Sequence, residues 1–297
     1  MQYRCLTHTD IYVSAIGLGG WALGGGYDWG TTSEEQAVRT VSAALDAGIT
    51  LIDTAPIYGQ SEALLGRILR GQRKQVVLST KCGLLKNGSW TDHDLRPPTI
   101  CRQLEQSLQQ LQTDYIDIYF IHYLDPHVPW QTALETLARL QTQGKIRASG
   151  VCNIPPDVLA PMLQTGLVAC VQDEFSYLHA TRGRAVLEVC RAHGVSFMGY
   201  GSLCGGILSG KYHKEPNFRR ADARNYFYKC YRGEAFTCAQ QEVSWVQAKA
   251  TQCGVTPAQW ALAWALEESG ITCVLTGART AEQIRQNAQA AEVGGVR

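Results

Sequence analysis

The chain has 297 residues, with 27 Lys and Arg against 26 Asp and Glu, a formal net charge of +1. Charged residues make up 18%, below the ~25% usual for soluble domains, and the missing basic surplus argues against nucleic acid or an anionic membrane as principal partner. A chain of this length buries roughly three quarters of its unfolded surface, so its core needs neither disulfides nor a structural metal.

The start, Met1 to Cys5, lacks the apolar core of a signal peptide. The segment Ala192 to Gly210 is free of Asp, Glu, Lys and Arg, but its six glycines and three serines make a poor membrane span. The 11 cysteines are odd in number and scattered without a C-x-x-C pair, which fits free thiols in a reducing cytoplasm.

In chain order, residues 2–13 read as a small hairpin turning near His8-Thr9-Asp10. Ile16-Gly17-Leu18 follows as a buried strand. Thr32-Ser33-Glu34-Glu35 fits a capping box opening a helix with Val38, Val41 and Leu45 on one face and Gly48 at its end. Strands are expected at Leu51 to Asp53 and Val76 to Ser79, then a helical stripe of Ile100, Leu104, Leu108 and Leu111. Ile116 to Ile121 is the next strand, followed by Leu134, Leu137 and Leu140 leading to Gly144. Ile146 to Val151, Cys170-Val171 and Val195 to Met198 continue the series of β-branched, apolar runs typical of parallel strands. A Gly-rich loop and an extra helix fill the long gap before Cys273 to Leu275. Thr256-Pro257 marks a helix start in that gap, with Gly270 past its end. Thr280 and Gln283 form a last capping pair. No linker divides the chain, so residues 1–297 read as one domain. Eightfold alternation of strand and helix allows a (β/α)8 barrel or a doubly wound sheet, and the length favours the barrel.

In such a barrel the chemistry sits at the C-terminal ends of the strands. Asp53, Lys81 and His122 each end a predicted strand, and Tyr58 lies in the loop after Asp53. Taken singly, each has a plain structural reading: a helix cap, a loop-packing ring, a buried ion-pair partner, a core histidine. Together they are chemically compatible. A tyrosine is a poor acid at neutral pH, and an adjacent ammonium favours its phenolate and lowers its pKa. A carboxylate keeps that ammonium charged, and a histidine can hydrogen-bond a carbonyl oxygen. The set describes proton delivery to a carbonyl that receives a hydride.

The motifs resemble the aldo-keto reductase superfamily over nearly the whole chain. They are Asp53-Thr54-Ala55-Pro56-Ile57-Tyr58-Gly59 with Ser61-Glu62, Ser79-Thr80-Lys81, Asp114 to Tyr119 leading to His122, and Gly144-Lys145-Ile146-Arg147 with Ser149-Gly150-Val151-Cys152-Asn153. The resemblance implies a (β/α)8 TIM barrel using NADP(H) without a Rossmann fold, and no strand here leads into G-x-G-x-x-G. The glycines from Gly17 to Gly26 are read as a flexible loop at the barrel mouth.

By the same resemblance, Tyr58 is the general acid, Asp53 and Lys81 tune it, and His122 orients the carbonyl. Ser149, Asn153 and Gln172 match carboxamide contacts, and Tyr200 matches the aromatic stacked on the nicotinamide. Gly20 and Trp21 join the cofactor set at the mouth. The loop Gly201 to Lys211 matches the segment over the pyrophosphate, through Gly201, Ser202, Leu203, Gly206, Leu208 and Lys211. Gly277 and Arg279 open the last helix, where Arg279 would grip a 2′-phosphate and Gln283, Gln286 and Asn287 would meet the adenosine side. Gln286 stands where many members carry glutamate. The chain ends at Arg297 without a long tail, which implies an open substrate pocket walled by Trp21, Tyr27, Trp29, Trp90, Tyr123 and residues near Phe218 to Tyr231. Arg219, Arg220 and Arg224 are candidates for an anionic substrate or the cofactor phosphates, or are simply solvated.

The leading expectation is a cytoplasmic NADP(H)-dependent oxidoreductase reducing small-molecule aldehydes or ketones, sugars included, with a homo-oligomer allowed and no metal. One alternative is an NADP(H)-sensing regulator resembling the potassium-channel β subunits. Another is a barrel isomerase or aldolase with Lys81 as Schiff-base amine.

Overall fold

A computed structural model of the chain describes residues 1–88 and 90–296, apart from the side chain of Tyr27. The chain opens with a hairpin of β1 (Tyr3–Cys5) and β2 (Tyr12–Ser14). Then come β3 (Ile16–Gly19), a short α1 (Gly26–Trp29), α2 (Glu34–Asp46), β4 (Leu51–Asp53), α3 (Ser61–Ile68) and β5 (Val77–Cys82). A second hairpin follows, β6 (Leu84–Asn87) with β7 (Trp90–His93). The remainder is α4 (Pro97–Leu111), β8 (Ile116–Ile121), α5 (Trp130–Thr142), β9 (Ile146–Cys152), α6 (Pro156–Gln164), β10 (Cys170–Glu174), α7 (Ala180–His193), β11 (Ser196–Tyr200), α8 (Gly233–Gln252), α9 (Pro257–Leu266), β12 (Ile271–Gly277) and α10 (Ala281–Gln289).

Eight strands close into a parallel barrel in the order β3, β4, β5, β8, β9, β10, β11, β12, with β12 pairing back onto β3. This is the (β/α)8 barrel that the alternation predicts, with α8 as the extra helix before the last strand. Two apolar layers hold it. Leu51, Val77, Ile118, Phe120, Met198 and Leu275 fill the barrel together with Leu6, Ile11 and Val13 of the N-terminal hairpin. The hairpin therefore closes the end of the barrel where the strands begin, which leaves only the opposite end open. Outside, the helices bury stripes such as Ile100, Leu104, Leu108 and Leu111 of α4 against the strands.

Local details depart from the sequence reading. Ser33, not Thr32, caps α2 and accepts from Gln36 N, because the Thr32 hydroxyl is turned to donate to Ala22 O. Ala37, Thr40, Val41 and Ala44 of α2 face inward, while Val38 is 39% exposed. Gly17 and Gly19 are not part of a loop: they lie in β3, paired with Leu275 and Gly277. The β6–β7 hairpin was not anticipated, although the sequence has Gly88-Ser89, a Gly-Ser hairpin signal, between the paired Asn87 and Trp90.

Candidate active site

Asp53 ends β4, Lys81 lies near the end of β5, His122 directly follows β8, and Tyr58 stands on the turn between β4 and α3. The barrel brings all four together at its open end. Lys81 Nζ donates to Asp53 Oδ2 at 2.7 Å and to Thr54 O at 2.9 Å. The same Nζ lies 4.9 Å from the centre of the Tyr58 ring. The Tyr58 and His122 rings meet edge-on with centroids 5.9 Å apart. The other Asp53 oxygen, Oδ1, accepts from Ser79 Oγ at 2.7 Å and from Gln172 Nε2 at 3.1 Å. Both carboxylate oxygens are thus held, so the ion pair has one orientation.

The electrostatics follow from burial. Burial alone would depress the Lys81 ammonium, but the Asp53 carboxylate and its hydrogen bond outweigh it and hold the amine above its ordinary value. Burial also raises the Tyr58 phenol, and the opposing charge of Lys81 does not cancel it. The expectation of a net lowering therefore fails in this enclosed site, where removing water from the phenolate costs more than the ammonium returns. Tyr58 rests protonated. Burial, with the Lys81 charge behind it, pushes His122 well below its ordinary value, so the imidazole is neutral near pH 7.

A cleft of about 1490 Å³ opens from this group. Asp53, Tyr58, His122, Tyr123, Trp21, Asn153, Gln172 and Tyr200 line one part of it. It runs past Gly201, Ser202, Leu203, Gly206 and Lys211 to Gly277, Arg279, Gln283, Gln286 and Asn287 at the far end. Within it, the Tyr200 hydroxyl donates to Asn153 Oδ1 at 2.7 Å, and Asn153 Nδ2 donates to His122 O at 3.1 Å. At the far end Thr280 caps α10 by accepting from Gln283 N, while Gln283 Oε1 accepts from Arg279 N at 2.9 Å rather than completing a capping box. The Arg279 guanidinium rests on Thr31 O at 3.3 Å.

Three expected contacts are not brought to the cleft. Ala148 and Cys152 face the barrel interior, so alternation along β9 turns Ser149 outward, away from the cofactor side. Gly20 is wedged behind the site: a Cβ there would stand 2.7 Å from Ser61 Oγ and 2.8 Å from Asp53 O, so only glycine permits this approach. The Leu208 side chain is buried in the outer core. Gln172, expected at a carboxamide, lines the cleft and also donates Nε2 to Asp53 Oδ1.

The aromatic wall forms in part. Trp21, Trp29, Trp90, Tyr123, Tyr226 and Phe227 line the cleft. Phe218 and Tyr231 pack edge-on with each other and with Tyr212 instead, and the side chain expected of Tyr27 lies outside the described residues. Arg224 lines the cleft but is committed to Asp222, at 2.6 and 2.7 Å, and to the Tyr212 hydroxyl at 2.8 Å. Two polar supports escaped the sequence reading. Ser79 carried a signal, since it sits two residues from Lys81 on one strand face. Asp28, which accepts from Trp21 Nε1 and the Tyr226 hydroxyl, carried none.

The cleft has the features a dinucleotide needs. Its aromatic and amide groups stand beside Tyr58, a Gly-rich loop with Lys211 lies at its middle, and a capped helix start with Arg279 lies at its end. Gly205 and Gly206, with φ of 66° and 99°, let that loop fold back tightly beside the cleft. Among the described residues, no group of His, Cys, Asp and Glu could hold a metal ion, and no helix is long and apolar enough to cross a membrane.

A model of the aldo/keto reductase family matches residues 15–294. The chain belongs to the aldo/keto reductase family. It is 37% identical to the aldo-keto reductase YhdN of Bacillus subtilis over 291 residues, 96% of this chain and 87% of that protein. It is 33% identical to an NADH-specific methylglyoxal reductase of Escherichia coli, over 96% of this chain and 92% of that one. Among solved structures, a glycerol dehydrogenase of Gluconobacter oxydans superposes with a TM-score of 0.88 at 30% identity, covering 97% of this chain and 89% of the other. As a member of this family it is an oxidoreductase of carbonyl compounds.

Proposed function

We propose that this aldo/keto reductase reduces aldehydes and ketones to alcohols, takes NADPH in preference to NADH, and uses Tyr58 as proton donor. The observation that supports it most is the buried Asp53–Lys81 pair, at 2.7 Å, held beside the Tyr58 ring in the cleft that ends at Arg279.

When bound, the nicotinamide supplies the hydride for the carbonyl carbon. The chain does the rest. Neutral His122 offers an N–H to the carbonyl oxygen and fixes its direction. Tyr58 passes its proton to that oxygen as negative charge develops there. The Lys81 ammonium, two of whose protons are taken by Asp53 and Thr54, turns its remaining proton toward the phenol and stabilises the phenolate left behind. Trp21, stacked on Tyr58 at 5.8 Å, shields the ring from water. The charged, doubly bonded Lys81 is ill-suited to a Schiff base, which requires a free amine.

The far end of the cleft supports the cofactor preference. Arg279 at the start of α10 provides a fixed charge for a 2′-phosphate. The Escherichia coli relative is NADH-specific, so the preference needs its own measurement. Turnover of 4-nitrobenzaldehyde, followed by loss of reduced-nucleotide absorbance, should be faster at low NADPH than at equal NADH. Equal efficiency with both would refute the preference without touching the chemistry.

A further inference from the structure

The segment between β3 and α2 is seated on the turn that carries Tyr58. Gln60 N donates to Gly24 O at 3.2 Å, and a Cβ at Gly24 would stand 1.7 Å from Tyr58 O. From this segment Trp21 lays its ring on that of Tyr58, with centroids 5.8 Å apart and planes 23° from parallel. An indole turns about its two side-chain bonds unless something holds its edge. Here Asp28 holds it: Trp21 Nε1 donates to Asp28 Oδ2 at 2.9 Å. The other oxygen, Oδ1, accepts from the Tyr226 hydroxyl at 2.6 Å. Tyr226 belongs to the long connection between β11 and α8. Its neighbour Phe227 packs edge-on against Trp21 at 5.3 Å and leans on Tyr200 at 6.5 Å. One carboxylate therefore binds two distant stretches of chain into a single aromatic group beside Tyr58.

We propose that Asp28 is a positioning residue: it holds Trp21 against Tyr58, so that water stays off the phenol that gives up the proton. This rests on the carbonyl-reductase reading above, with Tyr58 as the donor. Reduction needs the phenol protonated, so efficiency falls as pH rises through its pKa. Burial holds that value above the ordinary one in the wild type, against the pull of Lys81. Freeing Trp21 admits water, weakens the effect of burial and leaves the ammonium to draw the value down. The other groups that face Tyr58 do not change: Asp53 and Lys81 from β4 and β5, His122 after β8, Cys152 on β9, Tyr200 on β11 and Tyr228 beyond it.

The test measures kcat/KM for 4-nitrobenzaldehyde at saturating NADPH, at pH 7 and pH 9.5, because this quantity reports the essential acid before the aldehyde binds. In Asp28→Ala the ratio of the alkaline to the neutral value should fall about fivefold below wild type. Asp28→Asn loses the charge but keeps an oxygen for Trp21 Nε1, so its ratio should stay near wild type. Tyr226→Phe, which removes half of the clamp at an exposed side chain, should lower the ratio about twofold, and it decides the matter should Asp28→Ala fail to fold by circular dichroism. Ratios unchanged in the folded variants, including a loss of equal size at both pH values, overturn the role of Asp28. An Asp28→Asn that behaves like Asp28→Ala overturns it too, because charge and not the hold on Trp21 would then be at work. A wild type that does not reduce the aldehyde overturns the reductase reading and this one with it.

Discussion

Asp53 shows how much one carboxylate can organise. It orients Lys81, and it receives Ser79 and Gln172 on its other oxygen, so its geometry is set by partners on two other strands, β5 and β10. Tyr58→Phe removes only the transferable proton. It should lower kcat by about 10²–10⁴-fold while NADPH affinity, read by fluorescence titration, stays near wild type. Survival of full turnover would sink the assigned mechanism. His122 makes a prediction about pH. Its folded pKa lies well below the ordinary 6.5, so below that pH the unfolded chain binds a proton that the folded site refuses. Folding then loses about 1.4 kcal/mol per pH unit until the folded value is reached. His122→Gln should flatten this acid limb by one proton's worth, measured as urea unfolding across about pH 5 to 7. An unaltered slope would mean that His122 is not held neutral.

The elements explain why some motifs work only in place. α10 is short, and its start depends on Thr280, whose hydroxyl accepts from Gln283 N, while Gln283 anchors Arg279 N. Thr280→Ala should cost about 1 kcal/mol of helix stability and weaken NADPH binding severalfold with little change in kcat at saturating cofactor. Calorimetric titration would separate the two, and unchanged affinity would show that this helix start does not serve the cofactor. The element scale is also where sequence reading was uneven. The α4 stripe and the Thr256-Pro257 start of α9 were legible because periodicity and caps are local. Ser149 was misread because a motif does not tell which face of a strand a residue takes once the barrel has set the register. Val38 stays exposed on α2 because the small residues Ala37 and Ala44, with Thr40 and Val41, take the face against the barrel.

At the scale of the whole molecule, the two ends of the barrel are held differently. The closed end carries buried Asp117, which binds Arg73 at 2.7 Å, Arg147 at 2.6 Å and Leu78 N at 2.9 Å. Removing its charge leaves two arginines facing a neutral group, so Asp117→Asn should cost about 3 kcal/mol. Turnover at low temperature should persist, because the network stands at the opposite end from Tyr58. A chemical-unfolding midpoint close to wild type would show that the network does not support the barrel. The open end spends polar groups on a cleft instead, and this division is what lets one scaffold be rigid below and receptive above.

Apolar periodicity, caps and short motifs are properties of neighbouring residues, so the barrel, the four candidate active-site residues and the capped helix start at Thr280 could be read along the chain. Folding of the whole barrel was needed to show that Gln172 also reaches Asp53, that Ser149 faces away, and that burial keeps Tyr58 protonated against the pull of Lys81. Each of those depends on distances between strands and helices far apart in the chain, and on how much water the closed barrel leaves around them.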